Sequence, residues 1–76
     1  MKVIVKGKLY DTDKATELWK DKRFNRTYYM TAKGNFFVVY FNAELEPMTE
    51  AEMKEVLAKN CPSKYLELWP DDIEEA

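Results

Sequence analysis

The sequence predicts one small α+β domain, in which two or three short helices cover one face of an antiparallel sheet of about three strands. Two strand-like runs joined at Ala32-Lys33-Gly34 indicate the sheet, and a helix start at Thr49 indicates the helices. A length of 76 residues leaves room for one hydrophobic core only. We expect residues 1–70 to form the domain and residues 71–76 to form an acidic flexible tail, because the tail is poor in apolar side chains.

The N-terminal part predicts a strand followed by a helix. Val3-Ile4-Val5 is β-branched and flanked by lysines, which is typical of a short strand, and we expect it to join the central sheet. Ala15, Leu18 and Trp19 then recur at the i, i+3 and i+4 positions of a helix. This spacing predicts a short helix near residues 13–20.

The hairpin at residues 27–41 is the strongest strand signal in the chain. Both of its arms are rich in aromatic and β-branched residues, and a three-residue loop with Gly34 in the left-handed conformation would join them. This loop pairs Tyr28 with Val38. Both faces of the hairpin are apolar, so one must meet the helices and the other must be at least partly covered.

The choice between the two faces depends on where polar atoms lie. We expect the Phe37 side to be buried by the helices, because Tyr28, Tyr40 and Arg26 bring polar groups to the other side. The predicted core consists of Val3, Val5, Leu9, Leu18, Trp19, Phe37, Val39, Phe41, Met53, Val56, Leu57, Leu68 and Trp69.

The helix beginning at Thr49 has the most specific boundary. Thr49 followed by Glu52 is a capping box, and Met48 with Met53 makes a hydrophobic staple. We expect this helix to extend over residues 49–59.

Two further segments are assigned from composition. Residues 42–47 read as a polar connector. Pro62 suits the first position of a short helix near residues 62–68, which Pro70 would end.

The residue inventory argues against catalysis. The chain has no histidine, the usual general base near neutral pH, and Cys61 is its only cysteine. We therefore expect no catalytic residue. A single thiol cannot form an internal disulfide or a zinc site, so we also expect no metal, no cofactor and a reducing, cytoplasmic setting. No segment approaches the roughly 18 apolar residues of a membrane span, and the N-terminal apolar run is too short for a signal peptide.

Charge is distributed unequally along the chain. Residues 1–40 contain nine basic and four acidic side chains, a net +5, whereas residues 41–76 contain three basic and ten acidic ones, a net −7. This polarity indicates either differently charged solvated faces or two surfaces with separate uses. An acidic surface that could meet a basic partner, or only keep the protein soluble, comprises Glu50, Glu52, Glu55, Asp71, Asp72, Glu74 and Glu75.

The main functional hypothesis is a protein-binding module. Aromatic and arginine side chains are enriched at protein interfaces. The second hairpin face could also be covered by the same face of another copy in a homodimer. The residues assigned to partner binding are Tyr28, Tyr40, Phe36, Arg26 and Met30. The alternative is a single-stranded nucleic-acid binder that stacks bases on the same rings, with Arg26 and Lys33 at their edge.

Three segments resemble a group of small, uncharacterised proteins from bacterial genomes and their mobile elements. They are Gly7-Lys8-Leu9-Tyr10-Asp11-Thr12-Asp13-Lys14-Ala15, Thr31-Ala32-Lys33-Gly34-Asn35-Phe36-Phe37 and Met48-Thr49-Glu50-Ala51-Glu52. The resemblance implies a phage- or plasmid-type accessory protein. Such proteins include small regulators or inhibitors of a host system, of the anti-CRISPR kind, and the resemblance transfers no catalytic residue.

Overall fold

The computed structural model describes residues 1–75 and confirms an α+β architecture, with two antiparallel sheets in place of the predicted single sheet. The strands are β1 (Lys2–Val5), β2 (Lys8–Asp11), β3 (Thr16–Asp21), β4 (Arg26–Met30), β5 (Phe36–Val39) and β6 (Leu45–Met48). The helices are α1 (Glu50–Asn60) and α2 (Pro62–Leu68), followed by a 3-10 turn at Pro70–Asp72. That turn enters the predicted tail, whose last residue, Ala76, lies outside the described residues.

Strands β3 to β6 form a four-stranded meander around the predicted hairpin. The hairpin register is confirmed, with Tyr28 opposite Val38. Gly34 adopts a φ of 85°, and the Thr31 N–H donates to the Asn35 carbonyl at 2.7 Å to close the loop. The left-handed conformation that the loop requires is therefore supplied by glycine.

The predicted helix at 13–20 is wrong, because most of that segment forms β3. Trp19 lies opposite Tyr28, but the strand register shifts between Glu17 and Trp19, which indicates a β-bulge. Leu18 is buried in the core, and Trp19 packs against the same core. Because of the bulge, Leu18 and Trp19 both pack against the same core, although neighbouring side chains in a regular strand point to opposite faces. The apolar spacing therefore resembled that of a helix.

The predicted connector at 42–47 is also wrong in its second half, where β6 begins at Leu45. Pro47 lies within this strand opposite Phe37, and proline is tolerated because β6 is the edge of the sheet. The Tyr40 N–H donates to the Glu44 carbonyl at 2.8 Å, which closes the β5–β6 loop.

The N-terminal strands form a separate hairpin instead of joining the central sheet. Its anchor is Tyr10, whose ring meets Phe37 edge-on at 5.4 Å, while Phe37 stacks on Tyr29 at 5.0 Å. Phe37 is consequently fully buried. Leu9 points outwards and is 54% exposed, so its assignment to the core was wrong.

The helices cover the Tyr28 face of the hairpin, so the prediction that they cover the Phe37 face is wrong. Tyr28 and Phe36 are each only 6% exposed, and they share one core cluster with Val38 and with the fully buried Met53 and Leu57 of α1. Tyr28 and Phe36, both assigned to partner binding, are therefore core residues.

The position of Met48 explains which face the helices take. Met48 lies directly opposite Phe36, and cross-strand partners point to the same face of a sheet. Because α1 begins two residues later, it continues on that side and brings Met53 there. Phe41, expected in the core, follows the end of β5 and is 76% exposed.

The two later helices follow the predicted boundaries closely. The Thr49 hydroxyl accepts the Glu52 N–H at 3.1 Å, and the Glu52 carboxylate accepts the Thr49 N–H at 2.9 Å, which confirms the capping box. Lys54 of α1 pairs with Asp72 and lies 5.2 Å from the Trp69 ring centroid, which ties the 3-10 turn to α1. Among the described residues, no helix combines the length and apolar character needed to cross a bilayer.

Candidate functional site: a groove between α1 and the sheet

A groove of about 350 Å³ lies between α1 and strands β4 to β6. Five predicted site residues line it: Arg26, Tyr28 and Tyr40 from the partner-binding set, and Glu52 and Glu55 from the acidic set. The other lining residues are Val38, Glu46, Met48, Val56, Lys59 and Asn60. The fold thus brings together two sets that the sequence analysis treated as separate surfaces.

Arg26 combines a guanidinium beside two aromatic rings with a buried N–H that has no acceptor among the described residues. Its guanidinium carbon lies 4.9 Å from the Phe24 ring centroid and 5.6 Å from that of Tyr40, within the range of cation–π interactions. Its Nε is buried and has no hydrogen-bond partner among the described residues. A buried donor without an acceptor typically destabilises a protein by about 1–3 kcal/mol, so a movement of the Arg26 side chain that brings this N–H to an acceptor would be favoured.

The β3–β4 turn holds Arg26 in this position. The Asp21 carboxylate accepts the N–H groups of Arg23 at 3.0 Å and of Phe24 at 3.4 Å. Asn25 then adopts a φ of 51°, a left-handed conformation that asparagine tolerates well. The turn therefore places the Phe24 ring beside the guanidinium of the first residue of β4.

The groove carries charges of both signs. Glu46, Glu52 and Glu55 contribute three carboxylates against the two cations of Arg26 and Lys59. Beneath these charged groups, Tyr28, Val38, Met48 and Val56 provide an apolar floor. An occupant would therefore place an apolar stem on the floor and polar groups at the rim.

Two ionisable side chains in the groove have shifted pKa values. Burial raises the pKa of the Tyr40 hydroxyl, and the Glu46 carboxylate raises it further, so Tyr40 remains a neutral donor. The hydrogen bonds from Thr49 lower the pKa of Glu52, so this carboxylate stays ionised at neutral pH.

Not every predicted site residue reaches the groove. Phe36 packs against Trp69 with ring centroids 5.7 Å apart, and Met30 packs against the same core. A nucleic-acid base could stack on Tyr28 or Phe36 only if the helices moved away, because both rings are buried. In the acidic set, Glu50 lies 3.4 Å from Lys54 and forms an ion pair with it.

Glu46 and Lys59 line the groove but were not among the predicted site residues. Glu46 lies two positions before Met48 on β6, so the two side chains share the helix-covered face. Reading residues 45–48 as a strand would have placed Glu46 there. Lys59 lies at i+4 from Glu55 on α1, and this spacing was the available signal.

Comparisons of the chain with protein-family models, with curated proteins and with solved structures found no match.

Proposed function

We propose that the chain is a small protein-binding module whose groove between α1 and the sheet receives a segment of a basic partner protein. The observation that supports this proposal is the buried, unpartnered Nε of Arg26 at the groove wall. On binding, the Arg26 side chain would turn so that a carbonyl of the partner segment accepts this N–H. The setting implied by the resemblance, a mobile-element regulator or inhibitor of a host system such as an anti-CRISPR-like protein, forms part of the proposal.

The excess of carboxylates in the groove favours a basic partner. Three carboxylates outnumber two cations there, and residues 41–76 as a whole carry a net charge of −7, with three basic and ten acidic side chains. A lysine or arginine of the partner would meet Glu52 and Glu55, while its backbone carbonyl meets Arg26. The binding rate should therefore fall as salt is added.

The residue types at the groove suit an interface anchor. Arg and Tyr are enriched among residues that dominate binding energy, especially where surrounding contacts exclude water. Arg26 and Tyr40 are both half-buried, and the two aromatic rings beside the guanidinium restrict its motion before binding. A partner would then lose little side-chain entropy in ordering Arg26.

The test compares Arg26→Met with Arg23→Met. Arg23 also lies over the Phe24 ring, at 5.5 Å, but it does not line the groove, so it is a matched control. The tagged chain is used to capture partners from host lysate with and without nuclease treatment, and the affinity for the purified partner is then measured. Loss of a hydrogen bond to a charged group should weaken binding about tenfold to a hundredfold in Arg26→Met only.

The outcomes separate the possible partners. Equal binding by the two variants, with the fold of both intact by circular dichroism, would refute the groove as the docking site. Light scattering that shows a dimer dissociated by Arg26→Met would identify the partner as a second copy of the chain. Capture of nucleic acid alone, lost after nuclease treatment, would contradict the protein-binding proposal.

A further inference from the structure

A second cavity, of about 460 Å³, lies where the N-terminal hairpin meets the β4–β5 loop. It shares no lining residue with the groove beside α1. Its charged lining residues are Lys8, Asp11, Lys14 and Lys33. Its volume lies within the range of about 300–1,000 Å³ that is typical of small-molecule sites.

Two distant segments of the sequence supply this entire lining. They are Gly7–Ala15 and Thr31–Phe37, the first two of the three segments on which the resemblance was based. The groove beside α1 uses neither segment. These residues thus meet in the fold at a place that the proposed protein-binding function does not explain.

Three lysines line this second cavity. Lys8, Lys14 and Lys33 come from three separate elements, namely β2, the β2–β3 turn and the β4–β5 loop. The ion pairs among residues 1–75 involve only Lys54 and Lys64, so none of the three lysines has a carboxylate within 4.0 Å there. Their ammonium groups are therefore available to an external anion.

Asp11 is the only carboxylate among the described residues of the lining, and it has a structural role. The residue is 6% exposed, and its carboxylate accepts the Asp13 N–H at 3.0 Å. Its carbonyl accepts the N–H groups of Lys14 at 3.2 Å and Ala15 at 3.1 Å. Asp11 therefore fixes the turn that presents Lys14.

The backbone is also ordered at the other two lysines, one in a closed loop and one at the start of β2. The Thr31 hydroxyl accepts the Asn35 N–H at 3.0 Å, and the Thr31 carbonyl accepts the Gly34 N–H at 3.0 Å, which encloses Lys33 in a tight loop. Lys8 directly follows the left-handed Gly7, whose φ is 77°. A ligand would meet a backbone that is already ordered, which lowers the entropic penalty of binding.

We propose that this cavity binds a small polyphosphorylated molecule. Three lysines against one carboxylate give the lining a net charge of +2, and lysine is a common ligand of phosphate groups. Leu9, Ala15 and Ala32 provide apolar wall for the body of the molecule. A nucleic-acid strand is disfavoured, because all three lysines line one cavity, whereas a strand is followed by basic residues along a groove.

The test is a titration of the isotope-labelled chain with inorganic triphosphate and with ATP, followed by NMR. We expect saturable shifts confined to the amides of residues 7–15 and 31–35. Lys8→Gln, Lys14→Gln and Lys33→Gln should each weaken binding about fivefold, the effect of one ion-pair interaction at about 4 Å in water. Lys33→Arg should retain binding, because it keeps the charge.

Two control variants separate this proposal from the protein-binding one. Lys20→Gln removes an exposed lysine outside the cavity, and Arg26→Met alters only the groove beside α1, so both should bind triphosphate normally. Absence of saturable shifts, or equal weakening by Lys20→Gln and Lys33→Gln, would overturn the proposal. Tighter binding of a single-stranded oligonucleotide through the same three lysines would also overturn it and assign the cavity to nucleic acid.

Discussion

Replacement of Tyr28 by alanine tests which face of the sheet forms the main core. The ring is 6% exposed, stacks on Trp19 at a centroid distance of 5.7 Å, and shares the cluster that contains Met53 and Leu57. If Tyr28 lay on a free binding face, its truncation would leave folding intact. Because the structure buries it under α1, Tyr28→Ala should instead destabilise the whole domain.

The size of the effect can be compared with the total stability. Truncation of a buried aromatic residue to alanine typically costs about 3–5 kcal/mol. A chain of 76 residues has a free energy of unfolding of about 4–11 kcal/mol, at about 0.05–0.15 kcal/mol per residue. Tyr28→Ala should therefore remove between roughly a quarter and all of the stability.

Urea unfolding, followed by tryptophan fluorescence, measures this loss directly. Trp19 and Trp69 both pack against the core and report on its opening. Phe41→Ala is the matched control, because that ring is 76% exposed and its removal should change stability by less than about 0.5 kcal/mol. A loss below about 1 kcal/mol for Tyr28→Ala, with an unchanged denaturant dependence, would refute the burial of this face.

Three further predictions concern the first half of α1 and its contacts. Thr49→Ala should lower the free energy of unfolding by about 1 kcal/mol in urea titrations, because it removes the cap, whereas Thr49→Asp should preserve it. Hydrogen bonds from Thr49, chiefly from its backbone N–H, lower the pKa of Glu52 below 4.5, so the stabilisation from this carboxylate should be lost as the pH falls from 4.5 through that lowered pKa. Glu52→Gln should flatten this pH dependence in urea titrations, and an unchanged slope would contradict it. Lys54→Met should speed hydrogen exchange at the Asp72 amide at low salt, and equal exchange in both proteins would show that the ion pair does not hold the 3-10 turn.

The features predicted correctly from the sequence depend on neighbouring residues. The capping box needs only Thr49 and Glu52, three positions apart, and its two hydrogen bonds form within a single turn. The register of the central hairpin likewise follows from its loop, where Gly34 supplies the left-handed residue. Such interactions have the same partners whatever the rest of the chain does.

The errors arose where distant contacts overrode a local pattern. Leu18 and Trp19 fit helical spacing, yet a bulge in β3 turns both towards a core made by residues far along the chain. Leu45 to Met48 read as polar because Glu46 and Pro47 interrupt it, and only its pairing with β5 makes it a strand. Tertiary pairing decides short segments of this kind, because their intrinsic preference is weak.

By itself, the sequence determined that the chain forms an α+β domain, with a central aromatic hairpin and a capped helix after Thr49. Only the tertiary structure decided which hairpin face the helices cover, because both faces are apolar and the choice depends on Met48 lying opposite Phe36. It also brought Arg26 to the carboxylates of α1, and Lys8 and Lys14 to Lys33. Each of these sites joins side chains from separate elements, and the sequence contains no local signal for such a meeting.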